Sequence, residues 1–167
     1  ERENIARDKI HFVGNTMIDS LVALEDRFRP LEACREHGLE PGSYLLVTLH
    51  RPALVDGPLL FEAVAALNAV SEEMPVLFPV HPRTRARLAA EAEVAPGLKL
   101  VEPAGYLEFL SLETDAKAVL TDSGGIQEET SYLGVPCFTL RDNTERPVTV
   151  ELGTNTMLGL DPERIRE

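Results

Sequence analysis

The sequence predicts an α/β chain built on a doubly wound, mainly parallel sheet. Three observations point there. Short apolar runs alternate with longer helical patterns along the whole chain. Several of those runs, such as Tyr44-Leu45-Leu46-Val47, are apolar at every position, as strands covered on both faces must be. The residues directly after the runs are rich in Gly, His, Arg and small polar types, which suits the carboxyl ends of strands, where such sheets bind ligands.

Taken in order, Ile10–Val13 reads as a strand, Thr16–Phe28 as a helix and Leu31–His37 as a second helix stopped by Gly38. Tyr44–Leu49 is a strand. Leu59–Glu73 is a helix, because Leu60, Ala63, Val64, Leu67 and Val70 fall on one face. Pro75 limits that helix and opens the strand Pro75–Val80. The pattern continues through helix Arg83–Ala92, strand Leu98–Val101, helix Tyr106–Leu112, strand Ala118–Thr121, helix Ile126–Leu133 stopped by Gly134, and strand Cys137–Leu140. Residues 161–167 resemble the first turns of a helix. Crossovers between parallel strands should be right-handed.

At 167 residues and 44% apolar content the chain is of one-domain size and long enough for its own core. With 5% aromatic residues and no Trp, that core must be mostly Leu, Val, Ile and Ala. The net charge of −12 argues against a nucleic-acid binder, which needs a basic face. It also means that any anionic ligand must be held by a locally positive pocket. Cys34 and Cys137 have neither metal nor redox spacing, and no disulfide framework is expected. No metal site is expected, since no Cys, His and Asp cluster has ligand spacing. No apolar run approaches the roughly 20 residues of a membrane span. The polar start Glu1-Arg2-Glu3-Asn4 carries no signal-peptide pattern, so a cytoplasmic location is expected. The missing initiator Met and the interrupted helix at the other end suggest a piece of a longer protein.

The strongest local signal is Ala118-Val119-Leu120-Thr121-Asp122-Ser123-Gly124-Gly125-Ile126-Gln127-Glu128-Glu129: a strand, a two-glycine turn, then a helix. Glycines let a ligand approach the backbone. The first helical amides lack internal acceptors and carry partial positive charge, so this end can hold a diphosphate. An ordinary strand-to-helix turn would use the same residues. Glu128 and Glu129 fit either favourable interaction with the helix dipole or acceptance from a ribose diol. His50-Arg51 and His81-Pro82 follow strands, where a histidine can bond a phosphate or exchange a proton. Arg141 and Arg146 suit phosphate contact, or local pairing with nearby carboxylates.

Together the segments Val13-Gly14-Asn15-Thr16-Met17-Ile18-Asp19, Thr48-Leu49-His50-Arg51-Pro52, Pro79-Val80-His81-Pro82-Arg83, Leu120–Glu129 and Leu140-Arg141-Asp142-Asn143-Thr144-Glu145-Arg146-Pro147 resemble the non-hydrolysing UDP-N-acetylglucosamine 2-epimerases. The resemblance implies a Rossmann-like domain forming the C-terminal half of a GT-B architecture, with the N-terminal domain outside this sequence. It implies interconversion of UDP-N-acetylglucosamine and UDP-N-acetylmannosamine by elimination and re-addition of UDP, without a cofactor, in cell-surface polysaccharide synthesis. It further implies a homodimer when the protein is whole, and little turnover by this half alone.

By the same resemblance Ser123, Gly124 and Gly125 would hold the diphosphate, Glu129 the ribose and Arg146 a phosphate, with Phe109 near the uracil. His50 would be the catalytic residue, assisting departure of UDP. Arg51 and His81 would bind substrate and also touch a second, activating UDP-N-acetylglucosamine. The chain departs from the family at Ala53-Leu54, where Glu-Asn is usual, and at Val148, where Glu is usual. Ala53 and Val148 leave open a non-catalytic nucleotide-sugar sensor, and the shared fold and carboxylate-to-ribose logic leave open a GT-B glycosyltransferase donor domain.

Overall fold

The computed structural model describes residues 5–166. The polar start read as lacking a targeting signal, residues 1–4, and Glu167 lie outside them. Six strands form one sheet: β1 (Leu45–Thr48), β2 (Val76–Pro79), β3 (Leu98–Val101), β4 (Ala118–Thr121), β5 (Cys137–Thr139) and β6 (Asn155–Met157). Their order is β3-β2-β1-β4-β5-β6 and every neighbouring pair is parallel. The order reverses between β1 and β4, which is where a doubly wound sheet opens a crevice.

The sheet is covered on both faces because successive side chains of each strand point to opposite sides. Leu45, Val47, Val76, Phe78 and Leu120 enter one core with Leu60, Ala63, Val64 and Leu67, from helix α3 below. Leu46, Leu77 and Val119 enter the other, with Tyr44, Cys34 and Leu112. This explains why the central strand runs are apolar at nearly every position. The helices are α1 (Thr16–Phe28), α2 (Pro52–Val55), α3 (Leu59–Val70), α4 (Pro82–Glu91), α5 (Tyr106–Asp115), α6 (Gly124–Leu133) and α7 (Pro147–Glu151). Leu21 and Phe28 of α1 pack on Leu110 of α5, and Asn15 caps α1 by accepting from the Met17 and Ile18 amides. No helix among the described residues is long and apolar enough to cross a membrane.

Several expectations need correction. Ile10–Val13 is not a strand: it pairs with no sheet, and Phe12 is fully exposed. An apolar run forms a strand only where a neighbouring strand satisfies its backbone. Leu31–His37 is not one α-helix but part of two 3-10 turns, Arg29–Leu31 and Ala33–His37, separated by Glu32 in a left-handed conformation. α6 starts two residues before Ile126, because Gly124 and Gly125 are its first turn rather than a loop. The helical start read near the C-terminus forms as a 3-10 segment, Pro162–Arg166, whose Ile165 packs against the α3 core. Strand β6 went unread since Asn155-Thr156-Met157 has no apolar run, and α2 and α7 are too short for a periodicity to show.

Leu46 lies fully buried in β1 beside the strand-order reversal. Leu46→Ala is expected to lower stability by about 2–5 kcal/mol, read as a fall in the urea midpoint.

Candidate functional site

The carboxyl ends of β1 and β4 are joined by one buried carboxylate. Asp122, 1% exposed, directly follows β4. Its Oδ2 accepts from the backbone amides of His50 at 2.9 Å and Arg51 at 2.7 Å, the residues that follow β1. Its backbone oxygen accepts from Arg51 Nε at 2.8 Å. The imidazole Nδ1 of His50 lies 2.9 Å from Asp122 Oδ1. This contact raises the His50 pKa, against the opposing effects of partial burial and Arg51. With Nδ1 turned to Asp122, Nε2 is the nitrogen left for a ligand.

The amino end of α6 stands next to this junction. Ser123 donates its amide to Thr121 Oγ1 at 3.0 Å and is the N-cap, but its hydroxyl caps no helix amide. The opening amides of α6 therefore have no side-chain acceptor. A side chain at Gly124 would collide with Glu145, whose Oε1 is 2.6 Å from where a Cβ would stand. At Gly125 it would press on Met17 Cε at 3.0 Å. Both neighbours are the far ends of flexible side chains, so the space over the two glycines is bounded by groups that can move.

Cationic groups line the same rim. Arg51 Nη2 lies 3.2 Å from Glu145 Oε1, and Arg141 Nη1 lies 2.8 Å from Glu145 Oε2. A cavity of about 210 Å³ opens here, with Arg51, Ala53, Asp122, Arg141 and Asn143 in its wall. A larger apolar cavity of about 340 Å³ lies at the opposite ends of the strands, by Leu45, Ala118 and Ile165, away from these groups. Arg146 Nε lies 3.1 Å from Glu128 Oε2, and Glu128 Oε1 accepts from Asn15 Nδ2 at 2.9 Å, which ties the start of α1 to α6.

One turn further along α6, Glu129 is 5% exposed and accepts from the Tyr106 hydroxyl at 3.0 Å. Burial pushes its pKa up, the Tyr106 bond pulls it down, and Glu128 pushes it up. Burial and then Glu129 push the Tyr106 phenol to about 12. Behind this pair sits Glu113 of α5, wholly buried, with neither carboxylate oxygen hydrogen-bonded. Burial, then the charge of Glu129, pushes its pKa well above the ordinary carboxylate value and so favours its protonated form.

The structure brings His50, Arg51, Ser123, Gly124 and Gly125 together at the strand-order reversal. Glu129 follows on the same helix, Arg146 reaches that helix through Glu128, and Phe109 lies half-buried on α5 against the core that holds Tyr44 and Leu112. His81 shares no described hydrogen bond or ion pair with these groups: it is exposed after β2, and its Nδ1 accepts from the Arg83 amide at 3.3 Å to cap α4. Sequence reasoning assigned no role to Asp122, Asn15, Tyr106, Glu113 or Glu145. Asp122 carried a signal, a carboxylate directly after a strand whose first three residues are apolar. The others depend on contacts across more than 15 residues of sequence.

Fold and site together define a doubly wound α/β protein with an open helix amino end, two glycines and a histidine–arginine rim at its strand-order reversal. The family model described as UDP-N-acetylglucosamine 2-epimerase matches residues 1–167, and the chain belongs to that family. It is similar to a UDP-N-acetylglucosamine 2-epimerase of Methanococcus maripaludis, 41% identical over 98% of this chain and 48% of the relative. It is also similar to a UDP-2,3-diacetamido-2,3-dideoxy-D-glucuronate 2-epimerase of Pseudomonas aeruginosa, 38% identical over 95% of this chain and 44% of the relative. Among solved structures, the Methanocaldococcus jannaschii UDP-GlcNAc 2-epimerase in complex with UDP-GlcNAc and UDP superposes with a TM-score of 0.80. That protein is 39% identical, over 99% of this chain and 48% of its own. The chain spans about half the length of the curated relatives it matches.

Two outcomes follow from the electrostatics. The raised His50 pKa means that its pairing with Asp122 stabilises the fold fully below the ordinary value of about 6.5 and is lost as pH rises through the folded value. Asp122→Asn should return the His50 titration, followed by NMR, towards that ordinary value. For Glu113, an acid with a raised pKa, the folded state keeps a proton that the unfolded state has released. Stability therefore falls as pH rises above the ordinary value of about 4.3. Between about pH 5 and pH 8 the urea midpoint should fall more in the wild type than in Glu113→Gln.

Proposed function

We propose that this chain is the nucleotide-sugar-binding, Rossmann-like half of a two-domain UDP-N-acetylglucosamine 2-epimerase. The observation that carries the reading is the uncapped start of α6, with its two glycines, set between His50, Arg51 and Arg141 on one side and Glu129 on the other. Helix amides and guanidiniums suit a diphosphate. A buried carboxylate one turn on suits a ribose diol. The family membership and the UDP named in the related complex support the same assignment.

In this reading Ser123, Gly124 and Gly125 hold the diphosphate, Arg146 adds positive charge, Glu129 accepts from the ribose and Phe109 lies by the uracil. The C2 proton leaves to a base on the other domain while the C1–oxygen bond to UDP breaks, which gives a 2-acetamidoglucal. UDP then adds back after a proton returns to C2 from the opposite face. His50 stabilises the departing phosphate through Nε2, and its raised pKa favours the charged form for that role. Arg51 reaches both the substrate and an activator subsite. His81, at the end of the neighbouring strand β2, does the same. A homodimer, a cytoplasmic location and a role in cell-surface polysaccharide synthesis belong to the same proposal.

The Pseudomonas relative favours a second substrate of the same class, because its named sugar is a UDP-linked 2-acetamido sugar altered at other carbons. Uracil, ribose and diphosphate are common to both, so this half would serve either, and the other domain would choose. In deuterated water the whole protein should place deuterium at C2 of one of the two UDP-sugars. Glu129→Ala should weaken UDP binding by about 1–3 kcal/mol in calorimetry. Failure to label either sugar, or unchanged affinity on losing Glu129, overturns the corresponding assignment.

A further inference from the structure

The position of Glu145 has no explanation in the scheme above. Its carboxylate stands against the Cα of Gly124, where a Cβ would be 2.6 Å from Oε1. It lies between Arg51, 3.2 Å from Oε1, and Arg141, 2.8 Å from Oε2. A carboxylate therefore already stands beside Gly124 at the uncapped start of α6, held by the two arginines rather than by the helix amides. It belongs to the loop before α7, and its side chain is 46% exposed, so rotation into solvent meets little packing. The Arg141 side chain is 12% exposed and that of Arg51 41%. Arg141 is thus held by packing, and Arg51 by its bond to the Asp122 carbonyl, independently of Glu145. Its own backbone amide, then Arg141 and Arg51, hold the Glu145 pKa below the ordinary carboxylate value, so the group is charged throughout the neutral range.

We propose that Glu145 is an affinity-setting residue: an internal counter-anion that occupies the diphosphate position on Gly124, Arg51 and Arg141 until a nucleotide diphosphate displaces it. The proposal rests on the nucleotide-sugar reading of the site. Two effects follow from the geometry. The guanidiniums stay aimed at the Gly124 turn in a protein whose net charge of −12 opposes anions. A ligand must also bring enough charge to replace a carboxylate already paired twice, which disfavours singly charged anions.

The test uses the whole protein and calorimetric titration of UDP and of uridine, which lacks phosphate. Glu145→Gln and Glu145→Ala should both bind UDP about three- to fivefold more tightly than the wild type, the range for removing a competing exposed ion pair. Their uridine affinity should be unchanged. Equal or weaker UDP binding by both variants would overturn the proposal and make Glu145 a holder of the arginines. Tighter uridine binding in step with UDP would also overturn it, by moving the effect away from the phosphate. If the folded wild type binds no UDP, the nucleotide-sugar reading itself falls. Wild-type binding with unchanged variants removes the counter-anion role alone.

Discussion

Everything at the crevice depends on one buried carboxylate at the point where the sheet reverses its strand order. A polar group as enclosed as Asp122 must be hydrogen-bonded, and its partners are the backbone amides of His50 and Arg51. Those two bonds fix the loop after β1 to the loop after β4, on neighbouring strands. The His50 ring then takes its orientation from the same carboxylate, and Arg51 takes its own from the Asp122 carbonyl. One residue thus fixes the relative placement of a helix amino end, an imidazole and a guanidinium. Without it these groups would sit on two independent loops, and loops alone hold geometry poorly.

The charge distribution shows how an acidic chain can present a site for an anion. The −12 total is spread over the surface and screened within about 8–10 Å at physiological salt. The positive features are local and fixed: amides of α6, and arginines pinned by contacts to neighbouring carboxylates. Arg51, Arg141 and Arg146 each lie beside a Glu, so part of their charge is already used within the chain. That arrangement favours a ligand able to compete with carboxylates, and a multiply charged phosphate does so better than a single charge. Glu129 is handled differently. Its burial raises its pKa, and burial of Glu113 behind it favours the protonated form there, which limits the charge placed beside Glu129.

Much of the fold was legible because its strands are short, apolar runs with a clear punctuation. β1 to β5 all appear within the expected runs, and the bounds of α1 were read correctly as Thr16–Phe28. What failed was local sequence whose structure depends on distant partners. Ile10–Val13 has strand-like composition but no strand beside it, while Asn155–Met157 lacks that composition and is ordered by pairing to β5. The site divides in the same way. His50, Ser123 and the two glycines follow strands and could be placed from strand ends alone. Tyr106, Glu113 and Glu145 acquire meaning only from what they face across α5, α6 and the loop before α7. Phe109 and Glu129 were singled out through the family resemblance, and spacing gave no reason to prefer Glu129 over Glu128.

The departures from the family pattern can be weighed by where they fall. Leu54 is 1% exposed and belongs to the core over α3. Its change from a polar residue therefore exchanges a rim group for packing, with a hydrophobic gain of about 1.5–3 kcal/mol for a fully buried Leu. Ala53 lines the cavity beside Arg51 and Asp122, where a shorter, uncharged side chain leaves Arg51 with Glu145 as its ion-pair partner. Val148 is 52% exposed on α7, two residues beyond Arg146. Neither Ala53 nor Val148 contacts Ser123, Gly124 or Glu129 among the described hydrogen bonds and ion pairs. The changes therefore act on the rim around Arg51 and Arg146, and leave the amides of α6 and the Glu129 carboxylate untouched. Such a pattern alters the shape and charge of the rim while keeping the helix amino end that the two glycines open.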